Sequence, residues 1–388
     1  MPATRPYESI LVRTPNWIGD QILSYPFFHF LRRGYPRARI TVACVPWVEA
    51  VQFRNLVDDV ITLPRPEGDA LWARFAALEQ GAALARAKGP FDLGIALPNS
   101  FSAAWFLWRA GARARRGFAS DGRSWLLTER LPWREEPILH RAEAYVSVLP
   151  ETARPKVEIK EFWGVSPKPG DVLDPGVPGV IPRFEPAQAW PDADPLEVPA
   201  EPYWVLAPGA VAESRRWPVE RFAELARTIC GETGWKCVVV GGVAEARLAD
   251  KILAELGSEK VLDWTAQGSV TRLWKLLRSS RFAVTNDSGL AHVAALCSFP
   301  GGPPVYIVWG AGEPKRTEPL GPSQIRMLLN PVDCWPCERN SCSLPSAQKV
   351  ECLRGIHPDA VWEEIRVGIR HRQERDGAAT LGPGPARG

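Results

Sequence analysis

Four short stretches hold the polar residues best spaced to do chemistry: Asn16–Asp20, Pro208–Trp217, Thr285–Gly289 and Gly310–Arg316. The fullest lies within Phe282–Val293, FAVTNDSGLAHV. It reads as a buried strand, an abrupt polar turn (Asn286, Asp287, Ser288, Gly289) and an apolar helix from about Leu290. Such a junction aims helix amides and a small hydroxyl at the carboxyl end of a parallel sheet, where phosphates and sugar hydroxyls bind in open α/β folds. Simple helix capping by Asp287 is the structural alternative. In Pro208–Trp217, Gly209 allows backbone to approach a ligand, and Arg215 and Arg216 stand just before a helix opened by Pro218. Two guanidinium groups beside helix amides suit a diphosphate, with a solvated basic loop as the alternative. Asp20 follows Gly19 and is the sole carboxylate of its loop; it either caps the next helix or faces a cleft as a general base.

The elements that position these loops alternate. Short apolar runs at Ser9–Thr14, Arg39–Val45, Asp59–Leu63 and Phe91–Leu97 predict strands, with helical patterns at Trp47–Phe53, Ala70–Lys88 and His140–Leu149. Strands spaced by helices predict a parallel sheet covered on both faces. After a Pro-rich stretch over 166–202, read as a linker or insertion, a second series follows. Strands are expected at Tyr203–Ala207, Lys236–Val240, Lys260–Leu262, Phe282–Thr285 and Val305–Trp309, and helices at Val219–Thr233, Ala244–Leu256, Val270–Ser279 and Asp359–Arg372. At 388 residues the chain exceeds what one core usually fills. The expected organisation is a first lobe over 1–165, the linker, a second lobe over 203–372 containing a Cys-rich loop at 334–352, and a disordered tail over 373–388. Two doubly wound lobes enclose one cleft, where a ligand belongs.

Composition limits the function classes. Forty-seven Lys and Arg against 44 Asp and Glu give +3, which does not point to nucleic acid. Arginine is nevertheless clustered at Arg109, Arg113, Arg115 and Arg116, then Arg123 and Arg130, as a patch for an anionic acceptor or membrane surface, or as an ordinary solvated face. The opening MPATRPYESILV has no apolar signal core, and no run is a plausible span, so the expectation is a cytoplasmic protein with at most peripheral attachment to the inner membrane. Cys44, Cys230, Cys237 and Cys297 fall in apolar patterns as small core residues. Cys334, Cys337, Cys342 and Cys352 have the spacing of a structural zinc or other metal site; a disulfide or plain reduced thiols are the other readings.

Several stretches together resemble a known family. They are Pro15-Asn-Trp-Ile-Gly-Asp20 with Ser24 and Pro26, Pro208-Gly-Ala, Ser214-Arg-Arg-Trp-Pro218 with Arg221-Phe-Ala-Glu-Leu225, Thr285-Asn-Asp-Ser-Gly289 with His292, and Trp309-Gly-Ala-Gly-Glu-Pro314 with Arg316-Thr317. In this order, over most of residues 8–365, they resemble the bacterial heptosyltransferases, family nine of the glycosyltransferases. The resemblance implies an α/β GT-B architecture, two facing Rossmann-like doubly wound parallel-sheet lobes with an interlobe cleft. It implies inverting, metal-independent transfer of heptose from ADP-heptose to a lipopolysaccharide inner-core acceptor, lipid-linked or on the core itself. Carried over, Asp20 is the general base and Asn16, Trp17 and Gly19 lie on the acceptor side. Gly209, Arg215, Arg216, Asp287, Ser288, Gly289 and His292 lie on the donor side, His292 with a core role as its alternative. Arg215 stands where the family usually has lysine, which keeps the charge and changes the geometry. No cofactor is implied for catalysis. The long 166–202 segment and the 17 tryptophans depart from the pattern, which leaves open another nucleotide sugar for a different surface glycan, or a non-catalytic sugar-nucleotide-binding protein.

Overall fold

Strands that read as continuous apolar runs are those a parallel sheet buries on both faces. In the computed structural model Tyr203–Ala207 and Val305–Val308 are buried at every position, and Ser9–Arg13 at all but the first. The structure describes residues 7–68, 70–133, 138–155, 184–299, 301–322 and 324–380. The first lobe contains β1 Ser9–Arg13, β2 Arg39–Cys44, β3 Asp59–Thr62, β4 Leu93–Ala96, β5 Ala114–Phe118 and β6 Glu129–Leu131. The second contains β7 Tyr203–Ala207, β8 Lys236–Gly241, β9 Val261–Thr265, β10 Ala283–Asn286, β11 Val305–Val308 and β12 Ile325–Leu328. The sheet orders are β3-β2-β1-β4-β5-β6 and β12-β11-β10-β7-β8-β9, so each reverses direction once, between β1 and β4 and between β7 and β10. All pairings are parallel; Ile10 lies between Ile40 and Leu93, and Val205 pairs with Ala283. This is the expected two-lobed doubly wound architecture.

The first-lobe helices that matter below are α1 Ile18–Leu23, α2 Tyr25–Gly34, α3 Leu71–Lys88, α4 Phe101–Arg109 and α5 Arg141–Ser147. Sequence patterning misses α4, β5, β6 and β12, and three expectations need correction. Trp47–Phe53 is not a helix but a single 3-10 turn at Pro46–Val48. There the Gln52 side chain donates to the Val48 carbonyl at 2.9 Å, occupying the acceptor that a continuing helix would use. The arginine cluster is not an open patch throughout. Arg115 donates to the Leu126 and Ala112 carbonyls, Arg116 to the Val148 and Leu149 carbonyls and to Glu129. Arg123, fully buried, donates to the Phe118 and Ser100 carbonyls and to Asn99 Oδ1. These guanidinium groups satisfy loop carbonyls around β5, which is how a buried cation is tolerated.

The described part of the expected linker or insertion, 184–202, is a strap packed against both lobes; the remainder of 166–202 lies outside the described residues. Phe184 packs edge-on to Tyr25 and Trp190, and Ala189 accepts from the Arg54 amide. On the other side Arg278 donates to the Phe184 carbonyl at 2.8 Å and Leu196 N to the Arg272 carbonyl. One apolar cluster therefore runs from Phe27 and Phe53 through Phe184 and Trp190 to Leu276 and Leu296, tying the lobes together. The closing helix spans Pro358–Thr380 and so enters the segment expected as a tail; residues 381–388 of that call lie outside the described residues.

Candidate functional site

In an open α/β sheet the ligand crevice lies beyond the carboxyl ends of the strands where the order reverses. Here three of the four loops singled out above leave β1, β7 and β10, the strands that flank those reversals, and the fourth leaves β11.

On the first-lobe side, Asp20 lies in the opening turn of α1. Its Oδ1 is 3.6 Å from Arg141 Nε, and its side chain keeps about a quarter of its surface open while the α1 backbone fixes its base. Burial pushes the carboxyl above the ordinary range, opposed by the positive charges of Arg141 and Arg215. Arg141 begins α5, whose start is fixed by a capping box: His140 Nδ1 accepts from Ala142 N and Glu143 accepts from His140 N. Asn16 is held on both ends, its Oδ1 accepting from Arg13 Nη2 at 2.6 Å and its carbonyl from Trp47 Nε1 at 2.6 Å. Trp17 is exposed beside it.

On the second-lobe side, Asn286 ties its neighbours into one floor, donating to the Pro208 carbonyl at 2.7 Å and accepting from Trp217 N at 3.0 Å. Asp287 is 2% exposed, with Oδ2 3.3 Å from Arg215 Nε. Its carboxyl is raised to about 6, by burial first, with Arg215 pulling down. Neither Asp287 Oδ2 nor Arg215 Nε has a hydrogen-bond partner among the described residues. Both atoms lie beyond the carboxyl ends of β7 and β10, where a ligand in the crevice would be placed to bond them. Ser288 is the N-cap of helix Gly289–Cys297, yet its side chain makes no capping bond. Gly209 lies against the Glu245 side chain, which also accepts from Gly242 N at 2.8 Å. Arg216 turns back on its own loop, donating to the Ala210 and Val211 carbonyls, so the structure does not gather it with Arg215.

The two halves meet directly. A Cβ on Gly19 would stand 2.7 Å from His292 Cδ2, and one on Gly289 3.0 Å from Ile18 Cβ. Both glycines thus serve close approach of the lobes. His292 is a packing residue of this seam; burial, then His140 and Arg215, lower it to about 3, so it is neutral. His140 Nε2 reaches the Glu318 carbonyl at 3.0 Å across the same seam. Gly19→Ala is expected to destabilise the protein by roughly 1–3 kcal/mol through overpacking, read as a fall in Tm with Asp20 still present.

The cysteine loop closes the donor side. Ser214 donates to the Asn340 and Arg339 carbonyls, Trp335 Nε1 to the Gly310 carbonyl at 2.8 Å, and Glu338 N to the Ala311 carbonyl at 2.9 Å. The loop carries Glu338 to 3.4 Å from Arg316 Nε, where its charge also acts on Arg141. All four thiols are free, and burial followed by the charges of Cys337, Cys334 and Cys342 raises Cys352 to about 11. They are therefore neighbours, but among the described residues no group of three or more Cys, His, Asp or Glu side chains is arranged to hold a metal ion. Arg141, Glu245 and Glu338 were not recognisable as site residues from the sequence; the His140–Glu143 capping box is the one local signal, and it marks only where α5 starts.

A family model described as glycosyltransferase family 9 (heptosyltransferase) matches residues 83–348. The chain belongs to glycosyltransferase family 9. This family 9 enzyme is 26% identical over 377 residues to lipooligosaccharide heptosyltransferase 2 of Haemophilus ducreyi, spanning 92% of this chain and 98% of that one. It is 26% identical over 316 residues to lipopolysaccharide heptosyltransferase 2 of Escherichia coli, spanning 80% of this chain and 85% of that one. The solved structure of E. coli ADP-heptose LPS heptosyltransferase II has a TM-score of 0.66 and 23% identity over 94% of this chain and 99% of that one, which places this glycosyltransferase in the GT-B fold. The family match starts inside α3 and ends in the cysteine loop, so it contains the donor half of the site but not Asp20.

Proposed function

We propose that this glycosyltransferase moves heptose from ADP-heptose to a lipopolysaccharide inner-core acceptor, with inversion, at the cytoplasmic face of the inner membrane. The names of its full-length relatives support the sugar and the acceptor. The observation that carries the chemistry is the placement of a partly open, raised carboxyl, Asp20, opposite the buried Arg215–Asp287 pair. Displacement with inversion needs a base on one face of the anomeric carbon and a stabilised leaving group on the other. The acceptor oxygen forms the new bond to the anomeric carbon while Asp20 takes its proton. The bond from that carbon to the diphosphate oxygen breaks, and ADP leaves with the electron pair. Arg215 is placed to meet the charge that develops on the diphosphate, and Asp287 to accept from sugar hydroxyls. Since a guanidinium supplies that charge, no metal is required for turnover; the cysteine loop has a structural role in positioning Ser214, Ala311 and Glu338.

The test is a panel of nucleotide sugars scored for binding and for transfer to core oligosaccharide, with and without EDTA. ADP-heptose is expected to exceed UDP- and GDP-sugars by at least roughly 100-fold in kcat/KM, below the roughly 10⁴–10⁵ that buried polar groups left unpaired can impose on a wrong ligand, with the rate unchanged by EDTA. Equal use of another nucleotide sugar would overturn the donor, and binding without any transfer would leave only a sugar-nucleotide-binding protein. Zinc and iron analysis of the same preparation decides between a metal-bound and a reduced cysteine loop.

A further inference from the structure

One face of the first lobe is aromatic where a protein surface is normally polar. The outer sides of α3 and α4 and the 3-10 turn Ser124–Leu126 bring together a continuous set of rings. Phe75 meets Trp105 at 6.1 Å between centroids, Trp105 meets Trp108 at 5.0 Å and Phe101 at 6.0 Å, and Trp125 touches both Trp108 and Phe101 at just over 6 Å. Trp72, one turn before Phe75 on the same helix, extends the set. This is not a sealed core: Trp72 is 71% exposed, Trp125 60%, and Trp108 and Phe75 are exposed as well.

The surrounding charge is predominantly positive, although Glu79 within the ring set accepts from Trp105 and pairs with Arg109. Between Leu71 and Arg130 there are nine Lys and Arg against four Asp and Glu, or +5, while the entire chain amounts to only +3. Arg115, Arg116 and Arg123 are withdrawn onto backbone carbonyls, whereas Arg74, Arg86, Arg113 and Arg130 remain exposed even though Arg86 donates to the Arg109 carbonyl, Arg130 to the Leu127 carbonyl and Arg113 lies 3.7 Å from Asp92; Arg109, paired with Glu79 at 2.8 Å, lies over the Trp108 ring at 5.6 Å. Amphipathic indoles bordered by exposed arginines are the side chains that settle at the level of lipid headgroups, the rings below and the guanidinium groups among anionic phosphates. An obligate protein interface is instead depleted of charge at its centre. Location agrees: α4 starts from the carboxyl end of β4, the neighbour of β1 at the order reversal, so Phe101 stands on the rim of the half-site that holds Asp20.

We infer that the Trp72–Phe75–Trp105–Trp108–Trp125 face is a docking surface for an anionic lipid bilayer, holding the acceptor half of the cleft at the membrane. Among the described residues no helix is long and apolar enough to cross a membrane, so the contact is peripheral. This deepens the reading of a lipid-anchored acceptor and rests on it, and its primary readout, vesicle binding, requires neither donor nor acceptor. The full chain is sedimented with vesicles of phosphatidylcholine alone or mixed with phosphatidylglycerol, and tryptophan quenching by brominated acyl chains is recorded. Binding is expected to require the anionic lipid, to weaken with salt, and to fall at least tenfold in Trp72→Ser/Trp108→Ser/Trp125→Ser, while ADP-heptose affinity and transfer to a delipidated acceptor stay at wild-type values. Trp125→Glu, at an exposed position, gives the same readout should the triple variant fold poorly. Equal vesicle binding by wild type and variants, or no binding by wild type, overturns the inference. So does a wild-type dimer that the variants convert to monomer, since a second copy would then cover the face.

Discussion

Asp20→Asn is expected to lower kcat by about 10³-fold, within the 10²–10⁴ range of a lost general base, and to leave donor affinity within about twofold. The amide keeps the shape of the carboxylate and cannot take the acceptor proton. Asp20 stands on the first lobe, while Arg215 and Asp287 belong to the second, so donor binding should register the change only weakly, through the charge of Arg215. Steady-state ADP release and donor titration calorimetry separate these effects, and unchanged turnover would remove Asp20 from the mechanism. The wild-type pH profile carries an independent signature. Because burial holds the Asp20 carboxyl above its ordinary range against Arg141 and Arg215, the basic form appears only as pH rises through that raised value. The acid limb of kcat/KM should therefore lie above the range of a free aspartate and vanish in the variant.

The second large effect is expected for Arg215→Ala, a loss of about 10²–10³ in kcat/KM, comparable to removal of one preorganised donor from a developing anion. Arg215→Lys should restore most of this loss, since it returns the charge but not the planar fork. The stability of Arg215→Ala should also depend on pH in a defined direction. Asp287 is raised to about 6, from an ordinary value near 4, even with Arg215 at 3.3 Å. It holds its proton more firmly folded than unfolded, so it favours folding at acid pH and opposes it increasingly as pH climbs through that window, by about 3 kcal/mol once ionised. Without Arg215 the raised value climbs further. The fall in Tm caused by Arg215→Ala should thus be greater above pH of about 6 than below it, and a fall independent of pH would show that the pair does not couple.

How far the residues themselves disclosed this enzyme follows from the distance over which each feature is specified. The strand, polar turn and helix around Asp287 depend on neighbours along the chain, on period and turn chemistry, and were recognisable as such; so was the repeated alternation that makes two parallel sheets. The family motifs located Asp20 and Arg215, and the structure placed both at the order reversals, within electrostatic reach of each other.

Arg115, Arg116 and Arg123 look like Arg109 and Arg113 in sequence, yet three bind loop carbonyls while the other two lie at the surface. Burial of a cation is set by which carbonyls the fold brings to it, and no local pattern records that. The same holds for the packing of Gly289 against Ile18, and for Arg141 and Glu338, which reach the cleft from α5 and the cysteine loop. Local order followed from short-range sequence; the composition of the cleft depended on contacts between segments far apart in the chain, which packing of two lobes and a strap alone establishes.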